Sequence, residues 1–125
     1  MIRMMACAFS SLLLASAADA EVFDIDNAEL ARLMAAGVPV IDIRTAGEWQ
    51  QSGVVAGSKL ITYVDEQGRV DAPAWLAKVQ GVAKPDQPVI VICRSGNRTR
   101  AASQLLSQQA GYQRVYNVKD GMRSW

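Results

Sequence analysis

Three features of this 125-residue chain predict an α/β domain on a mainly parallel sheet. Extended and helical patterns alternate from residue 22 onward, the order that builds strand–helix–strand units. Val89-Ile90-Val91-Ile92 is a run of four apolar β-branched residues, as expected of a strand buried on both faces. A compact polar loop follows that run and leads straight into an Ala-rich helical pattern.

The first 20 residues read as something other than fold. Arg3 is a short positive start, and Met4 to Ala18 carries no charge. Ala18-Asp19-Ala20 places small residues where a signal peptidase reads them. This layout predicts a signal peptide over residues 1–20, cleaved before Glu21, and a domain over residues 21–125. A membrane anchor would need about 20 apolar residues and a following basic cluster, so no stable membrane association is expected after cleavage. With a bacterial source, the mature domain is expected in the periplasm.

Val22 to Ile25 is expected to be the first strand. Asp26 or Asn27 then caps a helix over 28–36 that ends at Gly37. Leu30, Leu33 and Met34 share its inner face. Val38 to Ile43 reads as a strand and Thr45 to Gln51 as a helical turn. Leu60 to Tyr63 is a short strand. Asp71 caps a helix over 72–80, with Pro73 in its tolerant first turn. Val89 to Ile92 is the central strand, Thr99 to Gln109 a helix, and Tyr112 to Val118 the last strand. Trp49, Trp75 and Trp125 are read as packing residues.

Composition narrows the chemistry. With 13 basic and 12 acidic residues the net charge is +1, which does not suit a nucleic-acid binder. The chain has no histidine, which removes Cys-His and Ser-His catalytic pairs and histidine-rich metal sites. Of its two cysteines, Cys7 falls in the leader. Cys93 is then a single thiol, to be weighed as a reactive group or as a buried apolar one.

Its surroundings favour reactivity. Ligands of open α/β sheets bind beyond the carboxyl ends of the strands, and Cys93 follows the central strand directly. The loop Cys93-Arg94-Ser95-Gly96-Asn97-Arg98 enters a helix N-terminus, whose free N–H groups and dipole favour an anion. Arg94, Arg98 and Arg100 add cations. Cysteines in such settings ionise at pKa values of roughly 3.5–7.5, so a thiolate is expected without a histidine partner. Gly96 permits the positive φ that curls successive amides into an anion nest.

Cys93 to Arg98, set between a hydrophobic strand and an Ala-rich helix, resembles the active-site loop of single-domain rhodaneses, the thiosulfate sulfurtransferase family. Val40-Ile41-Asp42-Ile43-Arg44 with Glu48 and Trp49 resembles the family's Asp-x-Arg block. Gly53 to Ile61 and Asn117 to Trp125 are similar to its next and closing segments. The order and spacing of these blocks carry the resemblance. Val54 departs from a frequent histidine, and Gly121 stands alone where two glycines are common. The chain reaches Trp125 early for the family, so a shortened last helix is expected.

The resemblance implies a rhodanese-like open parallel sheet of about five strands with helices on both faces. It also implies sulfur transfer through a Cys93 persulfide, from thiosulfate or a similar donor to cyanide, a thiol or a protein acceptor, without a metal or organic cofactor. Cys93 would be the nucleophile. Arg94, Ser95, Gly96, Asn97, Arg98 and Thr99 would bind the substrate. Asp42 and Arg44 would support the loop, with Arg98 also able to turn back onto Asp42. Two other readings stay open. One is a non-catalytic sulfur-carrier or sensing module of the same fold. The other is a Cys-dependent phosphatase or arsenate reductase. Those enzymes use Cys-x5-Arg, whereas Arg98 here is the fifth residue after Cys93, giving a loop one residue shorter.

Overall fold

The computed structural model describes residues 21–125. The expected leader, residues 1–20, lies outside the described residues. The elements run β1 (Glu21–Ile25), α1 (Asn27–Ala35), β2 (Val40–Asp42), α2 (Ala46–Ser52), β3 (Lys59–Leu60), α3 (Ala72–Gln80), β4 (Val89–Ile92), α4 (Asn97–Gln104) and β5 (Arg114–Val118). A π-helical turn, Leu105–Gln109, extends α4, and a 3₁₀ turn, Gly121–Ser124, follows β5.

All five strands are parallel, in the order β1-β5-β4-β2-β3. The buried β4 therefore sits at the centre, as its unbroken apolar run requires. Its side chains alternate. Val89, Val91 and Cys93 join the cluster with Trp75 and Val79 of α3 and Ala102 of α4. Ile90 and Ile92 join Leu30 and Leu33 of α1 on the opposite face. Helices thus cover both faces, and Cys93 points to the α4 side.

Caps set the helix starts. Asp26 accepts from the Glu29 amide and Asp71 from the Ala74 amide. Thr45 and Glu48 form a reciprocal capping box that opens α2. Several sequence-based boundaries move. The helix expected from Thr99 starts at Asn97, because Gly96 in the left-handed region turns the chain earlier. Its last turn widens to π geometry. The strand expected at 60–63 is only two residues long. Beyond it, Ile61 and Tyr63 still donate to the Asp42 and Ile43 carbonyls, but irregularly, at an edge with no outer partner to enforce pairing.

Trp75 is buried, with its indole N–H donating to the Ile61 carbonyl and its ring edge-on to Tyr63. Trp49 is half-buried. Trp125, expected to pack, is 52% exposed, because the 3₁₀ turn ends at the surface.

Directly after β2 lies a fully buried ion pair. The Arg44 guanidinium donates to both oxygens of Asp42 and also to Ser52 Oγ and the Gly53 carbonyl, each of the last two at 2.7 Å. The pair ties the strand end to the far end of α2. Breaking a buried pair by removing one partner strands the other charge, a loss of about 3–5 kcal/mol. Arg44→Leu is expected to lose stability on that scale in urea unfolding. Adding Asp42→Asn should restore part of the loss by removing the stranded charge.

Candidate active site

The site is built where β4 meets α4. Ile43 N donates to the Ile92 carbonyl, so β2 and β4 end side by side. The chain then leaves the sheet through Cys93 to Gly96. Gly96 sits at φ 96°, and α4 begins with no side-chain cap. The sulfur occupies that vacant capping place. The Gly96 amide donates to Cys93 Sγ at 3.2 Å, and the amides of Thr99 and Ser95 also stabilise the sulfur. Thr99 Oγ1 stands 3.7 Å from Sγ and 3.0 Å from the Gly96 carbonyl, and its hydroxyl can rotate to donate to either.

Two influences compete over the ionisation of Cys93. Burial is the largest single one and pushes the thiol pKa up. The amides of Thr99, Gly96 and Ser95 and the Thr99 hydroxyl together outweigh it, and the pKa lies below that of an ordinary cysteine. Cys93 is 1% exposed, so the sulfur is sheltered from solvent while hydrogen bonds favour its charged form.

The arginines divide differently from the sequence-based expectation. Arg98 does not turn back onto Asp42. It forms a two-point ion pair with Glu48, at 2.7 and 2.8 Å. Asp42 is held by Arg44 instead. The Arg98 hydrogen bonds hold the Glu48 pKa at about 2 against an ordinary 4.5. Arg98 thus braces the start of α4 against α2. Arg94 is exposed and makes no ion pair among the described residues. Asn97 is exposed and Ser95 half-buried, while Thr99 is fully buried against the sulfur.

A second clamp went unread in the sequence. The Met122 amide donates to the Cys93 carbonyl at 2.7 Å, and the Arg123 amide to the Arg94 carbonyl at 3.0 Å. Gly121, at φ 63°, makes this approach possible. A Cβ there would overlap the Cys93 and Arg94 backbone, and one on Gly96 would overlap the Lys119 carbonyl. The lone Gly121 was the available signal. Beside the loop is a cleft of about 380 Å³ between Glu48, Gln51 and Ser52 of α2, Arg94, and Met122 and Arg123 of the turn.

This geometry surrounds the Cys93 sulfur with preformed donors that favour an anion. Two outcomes are expected. Alkylation of Cys93 by iodoacetamide should follow a pH profile with its midpoint below that of an ordinary cysteine. Thr99→Val should move that midpoint upward, because one donor to the sulfur is gone. For Glu48, the depressed pKa means that the pair stabilises the fold fully above about pH 4.5 and loses this effect as pH falls toward 2. The gap in urea midpoint between wild type and Glu48→Gln should accordingly narrow across that window.

Known proteins place this architecture. The rhodanese-like domain family matches residues 26–125. Thiosulfate sulfurtransferase 18 of Arabidopsis thaliana is 31% identical over 109 residues, covering 84% of this chain and 79% of that protein. The mitochondrial protein HIGH ARSENIC CONTENT 1 of the same plant is 32% identical over 109 residues, covering 86% of this chain and 62% of its own length. Among solved structures, a rhodanese-like domain protein from Staphylococcus aureus superposes with a TM-score of 0.62 at 21% identity, covering 82% of this chain and 90% of that one. With its five-stranded parallel sheet and its cysteine loop at the end of the central strand, the chain belongs to the rhodanese family, a sulfurtransferase-type family.

Proposed function

We propose that this protein is a thiosulfate sulfurtransferase that carries sulfur as a persulfide on Cys93. The observation behind this reading is the sulfur seated as the cap of α4, with converging amides and a lowered pKa. In the first step the Cys93 thiolate attacks the outer sulfur of thiosulfate. The new Sγ–S bond forms as the S–S bond of the donor breaks, and sulfite leaves with the bonding pair. Cys93 then holds a persulfide anion where the loop amides can stabilise it. In the second step cyanide or a thiolate attacks the outer sulfur, releasing thiocyanate or a new persulfide and restoring the Cys93 thiolate. No proton or electron is exchanged with a further reagent when cyanide is the acceptor. The division into two transfers is ordinary covalent catalysis.

Within this reading, Arg94 attracts the anionic donor, Ser95, Gly96 and Thr99 hold the sulfur, and Arg98 positions the loop through Glu48. Asn97 lies on the exposed rim, open to donor or acceptor. Asp42 and Arg44 fix the neighbouring strand end. A phosphatase reading is disfavoured because its loop arginine must face the bound oxyanion, whereas both arms of Arg98 are committed to Glu48. The layout of residues 1–20 supports an exported protein, with the periplasm as its compartment in a bacterial cell. A small thiol or a protein is the acceptor in that setting.

Incubation with thiosulfate followed by mass spectrometry should show one added sulfur on Cys93 and none in Cys93→Ser. Addition of cyanide should then release thiocyanate with turnover. Persulfide formation without turnover would instead assign the protein as a sulfur carrier. Hydrolysis of aryl phosphates with no sulfur uptake would overturn the reading.

A further inference from the structure

The cleft beside the loop has a charge imbalance. Four guanidiniums stand around this region: Arg44, Arg94, Arg98 and Arg123. Its two carboxylates are both taken. Asp42 accepts from Arg44 through both oxygens, and Glu48 accepts from Arg98 through both. Arg94 and Arg123 have no ion-pair partner among the described residues, and both line the cleft. They are also fixed near each other. The Arg123 amide donates to the Arg94 carbonyl, and the preceding amide, Met122, to the Cys93 carbonyl. Both residues line one cleft, where like charges repel each other, and an anion bound in the cleft lowers that cost.

We propose that Arg123 is a second donor-orienting residue, which with Arg94 makes the cleft selective for small doubly charged sulfur donors over singly charged or neutral ones. The selectivity for donors rests on the sulfurtransferase reading, but the charge at the cleft does not. The role belongs to the side chain alone. The backbone bonds that clamp the loop come from the Arg123 amide, which any residue but proline supplies. Its guanidinium acts across the turn, at a position no loop motif includes.

The test compares alkylation of Cys93 by iodoacetate, an anion, with alkylation by neutral iodoacetamide, in the full chain at low salt. In Arg123→Gln the iodoacetate-to-iodoacetamide rate ratio should fall about three- to fivefold, as expected of one charge near a partly exposed site. Arg123→Lys should keep the wild-type ratio within about twofold. Salt near 1 M, where the screening length is about 3 Å, should erase the difference between wild type and Arg123→Gln. In turnover, the thiosulfate KM of Arg123→Gln should rise by more than its kcat falls. A singly charged thiosulfonate donor should show a smaller rise in KM. An unchanged alkylation ratio in Arg123→Gln, or an equal loss in Arg123→Lys, would overturn the proposal. If wild type takes no sulfur from thiosulfate, the sulfurtransferase reading fails while the alkylation ratio still decides the role of Arg123.

Discussion

A sulfur atom standing in for a helix cap is the interaction on which this site depends. Helix α4 starts without a side-chain cap, and its free amides need an acceptor. Cys93 Sγ stands at that end, accepting from the Gly96 amide just before α4 and stabilised by the Thr99 amide of its first turn. The arrangement works in both directions. The sulfur offers the helix start an acceptor, and the amides there favour the charged form of the sulfur against burial that opposes it. A histidine base is unnecessary in such a site, and the chain has none. The amides that converge on the sulfur are fixed by the backbone, so their positions do not depend on what the sulfur carries.

The charged side chains serve that loop at different distances. Asp42 and Arg44 are wholly buried and lock the end of β2 to the end of α2. Glu48 and Arg98 join α2 to α4 at the half-exposed rim. Arg94 and Arg123 line the cleft without carboxylate partners among the described residues. The order runs from structural pairs inside to uncompensated charge outside. Charge is therefore neutralised where desolvation is costly and left free where an anionic ligand would arrive.

Much of the architecture was legible in residues 22–125. The apolar run at 89–92 announced the central strand, and Asp26, Asp71 and the residues after them announced two helices. Cys93 to Arg98 announced the loop between the central strand and α4. What escaped reading was contact between distant segments. Arg98 could be assigned to Asp42 or to solvent, since nothing in a linear pattern reports which carboxylate lies nearest after folding. Glu48 was visible as a motif residue, and its capping box with Thr45 was a local clue, but its pairing across 50 residues was not. The 121–123 clamp was hidden for the same reason: backbone amides carry no side-chain signature. Edge strand β3 was overestimated because Leu60 to Tyr63 has strand-forming residues but no outer neighbour.

Gly121 has a consequence for how the protein comes into being. The loop that holds the thiolate receives its last two backbone bonds from residues made some thirty positions after Cys93. Strand β1, made first, waits even longer for its partner β5. During synthesis the helix cap can form as soon as α4 does, yet the loop stays open on one side until the 121–123 turn docks. Both the pairing of β1 and the closing of the loop thus wait for residues 114–123. A chain interrupted before them carries a cysteine that has not yet been enclosed.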